Sequence, residues 1–171
     1  MLVTTELLKE LQPIAKNMGE KYIGKSGWAA GLRSDEICYC LDMVIPGYYV
    51  GMLEALVAEK TFYEEFKIKH NDWHITEPNK EINKHGIKGI DFIISKGDNI
   101  KTIDVKTGQL LVHSKKVDNA ELYVFCSYFL NAGNSYISGC ITAEDVKKAP
   151  LGFNRHKDPN YQLIKDMLKG V

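Results

Sequence analysis

Two aspartates and a lysine near the middle of the chain have the residue types and the spacing for shared chemistry. Asp91 lies in one apolar run, Asp104 and Lys106 lie in the next, and the turn-forming tetrad Lys-Gly-Asp-Asn separates the runs. An antiparallel hairpin that pairs residue 95 with residue 100 places Asp91 directly opposite Asp104, with Lys106 on the same face. This register supplies a core face on the other side, made of Ile90, Phe92, Ile94, Ile103 and Val105.

Two carboxylates that face each other in a sheet need a compensating charge. Like charges directly opposite each other destabilise a strand pair by roughly 0.2–1 kcal/mol. A divalent cation removes the repulsion, and Mg²⁺ takes one or two carboxylates while keeping waters for phosphate groups. Lys106 would add a point charge near such a phosphate. The set therefore predicts phosphodiester hydrolysis, and the alternative is a solvated hairpin face without chemistry.

The order Asp91, then Asp104-x-Lys106, on adjoining strands resembles the PD-(D/E)xK nuclease superfamily. Ile90 stands where the motif names proline, at a position that carries no chemistry. The resemblance extends over about residues 48–146, and the apolar runs near residues 123–129 and 136–141 look like the later strands of that core. It implies a restriction-endonuclease-like core and metal-dependent cleavage of a nucleic-acid backbone.

The resemblance also implies roles for individual residues. Asp91 and Asp104 would hold one or two Mg²⁺ or Mn²⁺ ions, with the carbonyl of Val105 as a further ligand. An acid on the upstream helix would act through water, and the resemblance indicates Glu54 as both a catalytic and a metal-binding residue. Lys106 would either orient the nucleophile or offset phosphate charge, and the sequence does not distinguish these roles.

The helix acid has two candidates. At 100° per residue, Glu59 borders the apolar stripe of the helix predicted over residues 48–66, whereas Glu54 points away from that stripe. Periodicity therefore favours Glu59, whereas the resemblance favours Glu54, three residues after Gly51. A solvated helix face is the alternative for either glutamate.

Four further residues are candidates for contact with nucleic acid. Lys115 and Lys116 precede a predicted strand and are suited to backbone phosphates, which would appear as salt dependence of binding. Gln109 follows Lys106 closely, and Arg33 ends a glycine-rich segment that includes Trp28. That segment is interpreted either as a flap whose tryptophan stacks on a base or as an ordinary loop.

Composition limits the class of protein. A chain of 171 residues with 44% hydrophobic and 26% charged residues fits one soluble domain. The formal net charge is zero, with 22 basic and 22 acidic residues, which disfavours tight non-specific binding to nucleic acid. Lysine greatly outnumbers arginine, which suggests an AT-rich coding sequence, as in a phage or a low-GC bacterium. Because arginine makes the commonest specific base contact, little sequence specificity is expected.

Other features set the expected location and partners. No apolar run approaches the roughly 20 residues of a membrane span, and the first residues lack the layout of a secretory signal. A cytoplasmic protein is therefore expected, with DNA, or alternatively RNA, as its partner. A homodimer would suit symmetric cutting of both strands.

The predicted fold is α/β, a single domain over residues 1–171 with a mixed central sheet flanked by helices. Helical spacing after Thr4 predicts a first helix that ends near Gly19. The remaining predicted elements, in chain order, are a short helix within 35–45, a long helix over 48–66, a strand within 66–75, a surface loop over 76–88, the hairpin, two later strands, a helix capped by Thr142, and a final helix opened by Asp158-Pro159 that packs on the core.

The four cysteines are predicted to be core or half-buried thiols. Cys38 and Cys40 are separated by one residue, whereas the paired ligands of structural zinc sites are usually separated by two to four residues. Cys126 and Cys140 lie in apolar strands, where a free thiol packs as a small core residue.

Two other functions stay open. One is a nuclease of the same fold that is selective for branched DNA or acts on RNA. The other is a nuclease-like module that binds nucleic acid or protein without cutting it. Metal binding at Asp91 and Asp104 distinguishes the second function from the first, since a binding module has no need of it.

Overall fold

The computed structural model describes residues 1–20, 37–77, 90–129, 133–154 and 157–171. Its helices are α1 (Thr5–Glu20), α2 (Gly47–Lys69) and the short α3 (Ala143–Val146), with 3₁₀ turns at Ser114–Lys116 and Lys165–Met167. Its strands are β1 (Ile37–Cys40), β2 (Met43–Pro46), β3 (His74–Thr76), β4 (Phe92–Lys96), β5 (Asn99–Thr107), β6 (Leu111–His113), β7 (Leu122–Phe129), β8 (Asn134–Thr142), β9 (Leu151–Phe153) and β10 (Pro159–Gln162). The chain is therefore of the predicted α/β class.

A five-stranded mixed sheet forms the centre, in the order β3-β4-β5-β7-β8. Neighbouring strands are antiparallel except β5 and β7, which run parallel. The hairpin of β4 and β5 has the predicted register, with Ser95 opposite Ile100 and Phe92 opposite Ile103. Only two residues remain in its turn, and Gly97 there has a φ of +58°, which glycine adopts at little cost.

Both faces of the central sheet are buried. Along β7 the side chains alternate, so that Val124 and Cys126 join one apolar cluster and Tyr123 and Phe125 join another. The first cluster contains the second half of α2, with Phe62 packed against Phe92. Helix α2 therefore covers the predicted apolar face of the hairpin.

A second, three-stranded sheet covers the opposite face. Its order is β6-β10-β9, with all pairs antiparallel. Val112 of β6 and Leu163, just after β10, join Tyr123 and Phe125 in a shared core. This small sheet therefore lies over the face of the hairpin that carries the aspartates.

The first helix begins and ends close to the predicted positions. The Thr4 hydroxyl accepts a hydrogen bond from the amide of Leu7, which satisfies one of the free donors at the helix start. Gly19 does not end the helix but lies within its last turn, where α1 crosses the start of α2. A Cβ there would lie 2.8 Å from the Cβ of Tyr49, so the crossing requires glycine.

Several sequence predictions are confirmed in the later part of the chain. Strands β7 and β8 include the two predicted runs, and the Thr142 hydroxyl caps α3 by accepting from the amide of Asp145. Cys126 and Cys140 are buried free thiols, as expected. The side chains of Cys38 and Cys40 lie outside the described part of the structure.

Three predicted elements were wrong. The helix expected within residues 35–45 is the β1–β2 hairpin, whose turn is made possible by Leu41 at a φ of +52°. The strand expected from Phe66 is shortened to β3, because α2 continues to Lys69. The final helix expected after Asp158-Pro159 is instead β10, which pairs on both sides with β6 and β9, followed by a 3₁₀ turn. Partners distant in sequence decided these segments.

The loop predicted over residues 76–88 lies mostly outside the described residues. Among the described helices, none is both long and apolar enough to cross a membrane.

Candidate active site

The two aspartates lie where the pairing of β4 and β5 ends. Asp91 immediately precedes β4, and its backbone amide donates to the carbonyl of Ile103 at 2.8 Å. Asp104 lies on β5 opposite this point, as the hairpin register predicted. Because the regular ladder stops here, the backbone amide of Val105 is available to a side chain.

Asp91 accepts a hydrogen bond from that amide. Its Oδ2 accepts from the nitrogen of Val105 at 2.7 Å, which fixes the carboxyl group against the neighbouring strand. The bond favours the charged form of Asp91, but burial and the nearby Asp104 act more strongly in the opposite direction. The carboxyl group of Asp91 is therefore fixed at the strand end, in surroundings that disfavour its charged form.

Asp104 and Lys106 form an ion pair on the same face. The Nζ of Lys106 lies 2.6 Å from Oδ2 of Asp104, and the two residues are separated by one position in the strand. Only 5% of the surface of Asp104 is exposed, whereas 35% of the Lys106 side chain is exposed. Lys106 therefore links a buried carboxylate to solvent.

Both carboxyl groups have raised pKa values, mainly because of burial, and the charge of Asp104 adds to the shift at Asp91. Burial, followed by the charge of Asp104, raises the pKa of Asp91 to about 7. Burial also raises the pKa of Asp104, although Lys106 and its hydrogen bond oppose that shift. With Asp104 paired to Lys106, the raised pKa keeps Asp91 partly protonated near neutral pH, and a carboxyl group shifted by burial and a neighbouring charge is typical of functional sites.

Tyr123 is a site neighbour that the sequence did not indicate. It lies beside Asp104 in the parallel pairing of β5 and β7, and its hydroxyl donates to the carbonyl of Lys116 at 2.8 Å. Burial and the charge of Asp104 raise the pKa of Tyr123, so the phenol stays protonated. Its bond fastens the Ser114–Lys116 turn to the sheet next to the acids. Only the register of β5 and β7 shows that Tyr123 is a neighbour of Asp104.

The lysines predicted to contact phosphates lie on that turn. Lys115 and Lys116 are both exposed, and the Lys115 amide donates to Nδ1 of His113 at 3.2 Å. The carbonyl of Lys116 is bonded to Tyr123 beside Asp104, and the charge of Lys116 opposes in part the rise in the pKa of Asp104 that burial causes. Of the two lysines, Lys116 is thus the one associated with the acids.

Glu54 has a different environment from the one that periodicity suggested. Helix α2 is buried against both α1 and the sheet, so its buried surface is broader than one stripe. Glu54 precedes Ala58 by one turn and Thr61 by two, and both of these are fully buried. Burial accordingly raises the pKa of Glu54. Glu59 is also half-buried and has a partner of its own.

The structure does not gather Glu54 with the aspartates. Helix α2 covers one face of the sheet, while Asp104 lies on the face shared with Tyr123. Within the described ranges, no group of three or more His, Cys, Asp or Glu side chains could hold a metal ion. Any role of Glu54 at the aspartates would therefore have to be exerted through water at the strand ends.

Two other predicted contacts are placed only in part. Gln109 is exposed, in the turn between β5 and β6, and its carbonyl accepts from the amide of Leu111. Arg33 lies outside the described residues, as does the glycine-rich segment that contains it.

The donor set fits a magnesium-type ion through its carboxylates and backbone. Asp91 and Asp104 supply two hard oxygen ligands at one point, and Mg²⁺ needs only one or two carboxylates when waters complete its shell. The carbonyl of Val105 adjoins them in the strand.

Comparisons of the chain with family models, with curated proteins and with solved structures gave no match.

Proposed function

We propose that the protein is a metal-dependent nuclease that hydrolyses phosphodiester bonds of DNA, with Asp91, Asp104 and Lys106 at its active site and a restriction-endonuclease-like core. The observation that carries the proposal is the pair of interacting carboxyl groups, with Asp104 buried and Asp91 half-buried, at the end of a strand pair with a lysine on the same face. A purely structural hairpin gains nothing from two acids whose mutual repulsion destabilises the fold.

Asp91 and Asp104 would hold the Mg²⁺ or Mn²⁺ ion, with the Val105 carbonyl as a further ligand. When bound, the ion would supply an activated water and stabilise charge on the scissile phosphate. Asp91 is held for this role by the amide of Val105, which leaves its second carboxyl oxygen free of that bond. Binding requires Asp91 to be deprotonated, and its raised pKa means that protons compete with the ion.

Lys106 would act at the boundary between the buried acids and solvent. Its ammonium group compensates Asp104 and is the more exposed member of that pair. A phosphate that approaches from solvent would therefore meet Lys106 before Asp104. A lysine in this position can offset phosphate charge or orient the attacking water.

The order of elements also supports the proposed core. Helix α2 precedes the β4–β5 hairpin, and strands β7 and β8 follow it within one sheet. The acids lie on adjoining strands with their side chains on one face, as the resemblance to the PD-(D/E)xK superfamily requires. RNA or branched DNA as the substrate would use the same chemistry.

A non-catalytic binding module is the second candidate function. Asp104 is almost fully buried and already paired with a lysine, which a structural ion pair would also show. The assembly of only two acidic side chains, rather than three, within the described residues also favours it.

Cleavage assays distinguish the two functions. Linear, circular and branched DNA and RNA would be incubated with Mg²⁺, Mn²⁺ or EDTA. We expect metal-dependent cutting that falls by about 100-fold or more in Asp104→Asn and in Lys106→Met. Ser95→Ala is the matched control, since Ser95 opposes Ile100 at the turn end of the hairpin. Equal cutting by wild type and all three variants, or none by wild type on any substrate, would exclude the proposed site.

The same assay decides between the helix acids. Glu54→Gln and Glu59→Gln remove one charge each from neighbouring turns of α2. If Glu54 assists through water, only Glu54→Gln lowers the cleavage rate. A loss confined to Glu59→Gln would instead support the periodicity argument.

A further inference from the structure

The edge strand of the small sheet presents an aromatic side chain that the core does not use. Phe153 of β9 is 72% exposed and Leu151, two residues earlier, is 61% exposed. Cross-strand partners share a sheet face, and Phe153 pairs with Pro159 while Leu151 pairs with Tyr161. Tyr161 in turn lies opposite Val112, which is buried in the core with Tyr123. The exposed side chains thus share the face of the small sheet that carries Val112, yet they remain open to solvent.

Phe153 lies at the end of the small sheet that is nearest the aspartates. Strand β6 runs from Leu111 to His113 and continues directly into the Ser114–Lys116 turn. Strand β10 runs the opposite way, with Asn160 opposite His113, so the loop between β9 and β10 lies at the same end as that turn. Since Tyr123 lies beside Asp104 and its hydroxyl donates to the carbonyl of Lys116 in that turn, this end borders the candidate active site.

The described residues of the loop at this end, Asn154, Lys157 and Asp158, are joined by hydrogen bonds. The Asn154 amide donates to the carbonyl of Asp158, and the Lys157 amide donates to the carbonyl of Asn154 at 2.9 Å. The side chain of Asn160 adds a bond to the same Asp158 carbonyl. Lys157 is thereby held at a φ of +61°, with its side chain exposed.

Three cations accompany the aromatic ring at this end. Lys115, Lys116 and Lys157 are exposed, and within the described residues none of them forms an ion pair with a carboxylate. By contrast, Lys147, Lys148 and Lys169 on neighbouring elements are each paired with an aspartate. Unpaired lysines beside an exposed aromatic ring match a nucleic-acid strand, because lysines bind its phosphates and the ring stacks on an unpaired base.

We propose that this end of the small sheet binds single-stranded nucleic acid, with Phe153 stacked on a base and Lys115, Lys116 and Lys157 on the phosphates. This deepens the proposed function, on which it rests, by naming unpaired strands as the substrate class and the β9–β10 hairpin as the element that leads them to the aspartates. A duplex keeps its bases stacked and offers no face to Phe153 except at its ends.

The test is fluorescence anisotropy with labelled oligo(dT) of about 12 nucleotides, within the site sizes of known single-strand binders, and a duplex of equal length. EDTA is present, so binding is measured apart from cleavage. We expect Phe153→Ala to raise the Kd for the single strand about tenfold, Phe153→Trp to restore it, and the duplex affinity to change little. Lys157→Gln should lower the slope of log affinity against log salt by about 0.7. The aromatic ring is largely exposed, so these variants should fold normally.

Leu151→Ala is the matched control. It removes a similarly exposed apolar side chain from the same face at the far end of β9. Base stacking needs the ring and not the leucine, whereas a protein partner or a second copy of the chain would use both. Light scattering would report the oligomeric state of both variants. The proposal would be overturned if Leu151→Ala and Phe153→Ala both altered that state while single-strand affinity stayed unchanged.

Different results would reject the single-strand binding surface and the nuclease function. Single-strand binding that depends on Phe153, from a protein that cuts nothing, would support this surface and reject the nuclease. The opposite result is metal-dependent cutting by the wild type together with a Phe153→Ala variant that binds and cuts single strands equally well. It would support the nuclease function and reject this binding surface.

Discussion

At the scale of single residues, the feature that matters most is an arrangement that costs stability. Two carboxyl groups interact in a site whose burial raises the pKa of both. Lys106 compensates one of them, and the Val105 amide compensates the other in part. Proteins retain such pairs where the charge has a use, so the cost itself is an argument for function.

The pH dependence of stability follows from Asp91. Its pKa is about 7 in the folded protein against 3.8 ordinarily, so the folded state binds a proton more tightly than the unfolded chain. The stability contributed by this group is complete below about pH 4 and is lost as the pH rises through about 7. Asn in place of Asp91 resembles the protonated acid, and its oxygen can still accept from Val105.

We therefore expect Asp91→Asn to stabilise the metal-free protein by about 1–3 kcal/mol near pH 8 and to have little effect near pH 4. Urea unfolding in EDTA at both pH values would measure this. Mn²⁺ should stabilise the wild type and not the variant, since binding to the folded state alone raises stability. An unchanged or lowered stability of the variant near pH 8 would contradict the assigned electrostatics.

At the scale of elements, the site depends on a contact between a strand and a 3₁₀ turn. Tyr123 on β7 bonds to the carbonyl of Lys116, and the amide of Asn119 bonds to the same oxygen. The tyrosine thus joins the turn that carries Lys115 and Lys116 to the strand next to Asp104.

Tyr123→Phe should lower stability by about 1 kcal/mol through the loss of one partly buried hydrogen bond. It should also weaken nucleic-acid binding, because the lysine turn loses its attachment. Thermal unfolding and anisotropy would measure the two effects. Tyr63→Phe is the control, since the Tyr63 hydroxyl accepts from exposed Lys67, far from the lysine turn in sequence. Binding that is unchanged in Tyr123→Phe would show that the turn is positioned by its other contacts.

The close crossing of α1 and α2 leads to a prediction about the stability of a variant at Gly19. A Cβ at Gly19 would lie 2.8 Å from the Tyr49 Cβ and 2.9 Å from the carbonyl oxygen of Tyr48. Alanine favours a helix over glycine, yet Gly19→Ala should destabilise the protein by about 1–3 kcal/mol because the helices must move apart. Asn17→Ala, on the exposed side of α1, should be neutral or slightly stabilising. Chemical denaturation of both variants tests this, and equal stability would disprove the close crossing.

At the scale of the whole molecule, both ends of the described chain cover parts of one edge of the central sheet, the strand β8. The outer edge of β8 bonds to Lys169 through both backbone groups of Cys140. At the other end of β8, the Val3 amide donates to Gly133 and the Ser135 amide donates to Met1. Covering both ends of an edge strand in this way leaves fewer of its backbone groups open to pairing with another molecule.

Deleting residues 168–171 should therefore do more than remove a tail. The protein should lose about 2–3 kcal/mol of stability, since two backbone bonds and the packing of Val171 and Leu168 are lost. The exposed edge should cause association that increases with concentration. Lys169→Ala retains the backbone bonds and should remain similar to wild type. Light scattering and thermal unfolding measure both effects, and a stable, monodisperse truncated protein would refute this role.

The sequence by itself determined the hairpin that bears the site. The alternation of apolar and polar residues fixes the register of a two-strand unit, because a shift of one residue exchanges its faces. Asp91, Asp104 and Lys106 were therefore placed correctly, as were α1, most of α2, β7 and β8. These are segments whose own pattern specifies their structure.

Only the tertiary structure decided the surroundings of the site. Strand β10 is a strand because β6 and β9 lie on either side of it, although its sequence favours a helix start. Glu54 is half-buried because α2 packs on two sides, and Tyr123 lies beside Asp104 because β5 and β7 run parallel. Such pairings depend on residues far apart in the chain, and their energy comes from packing that no local pattern contains.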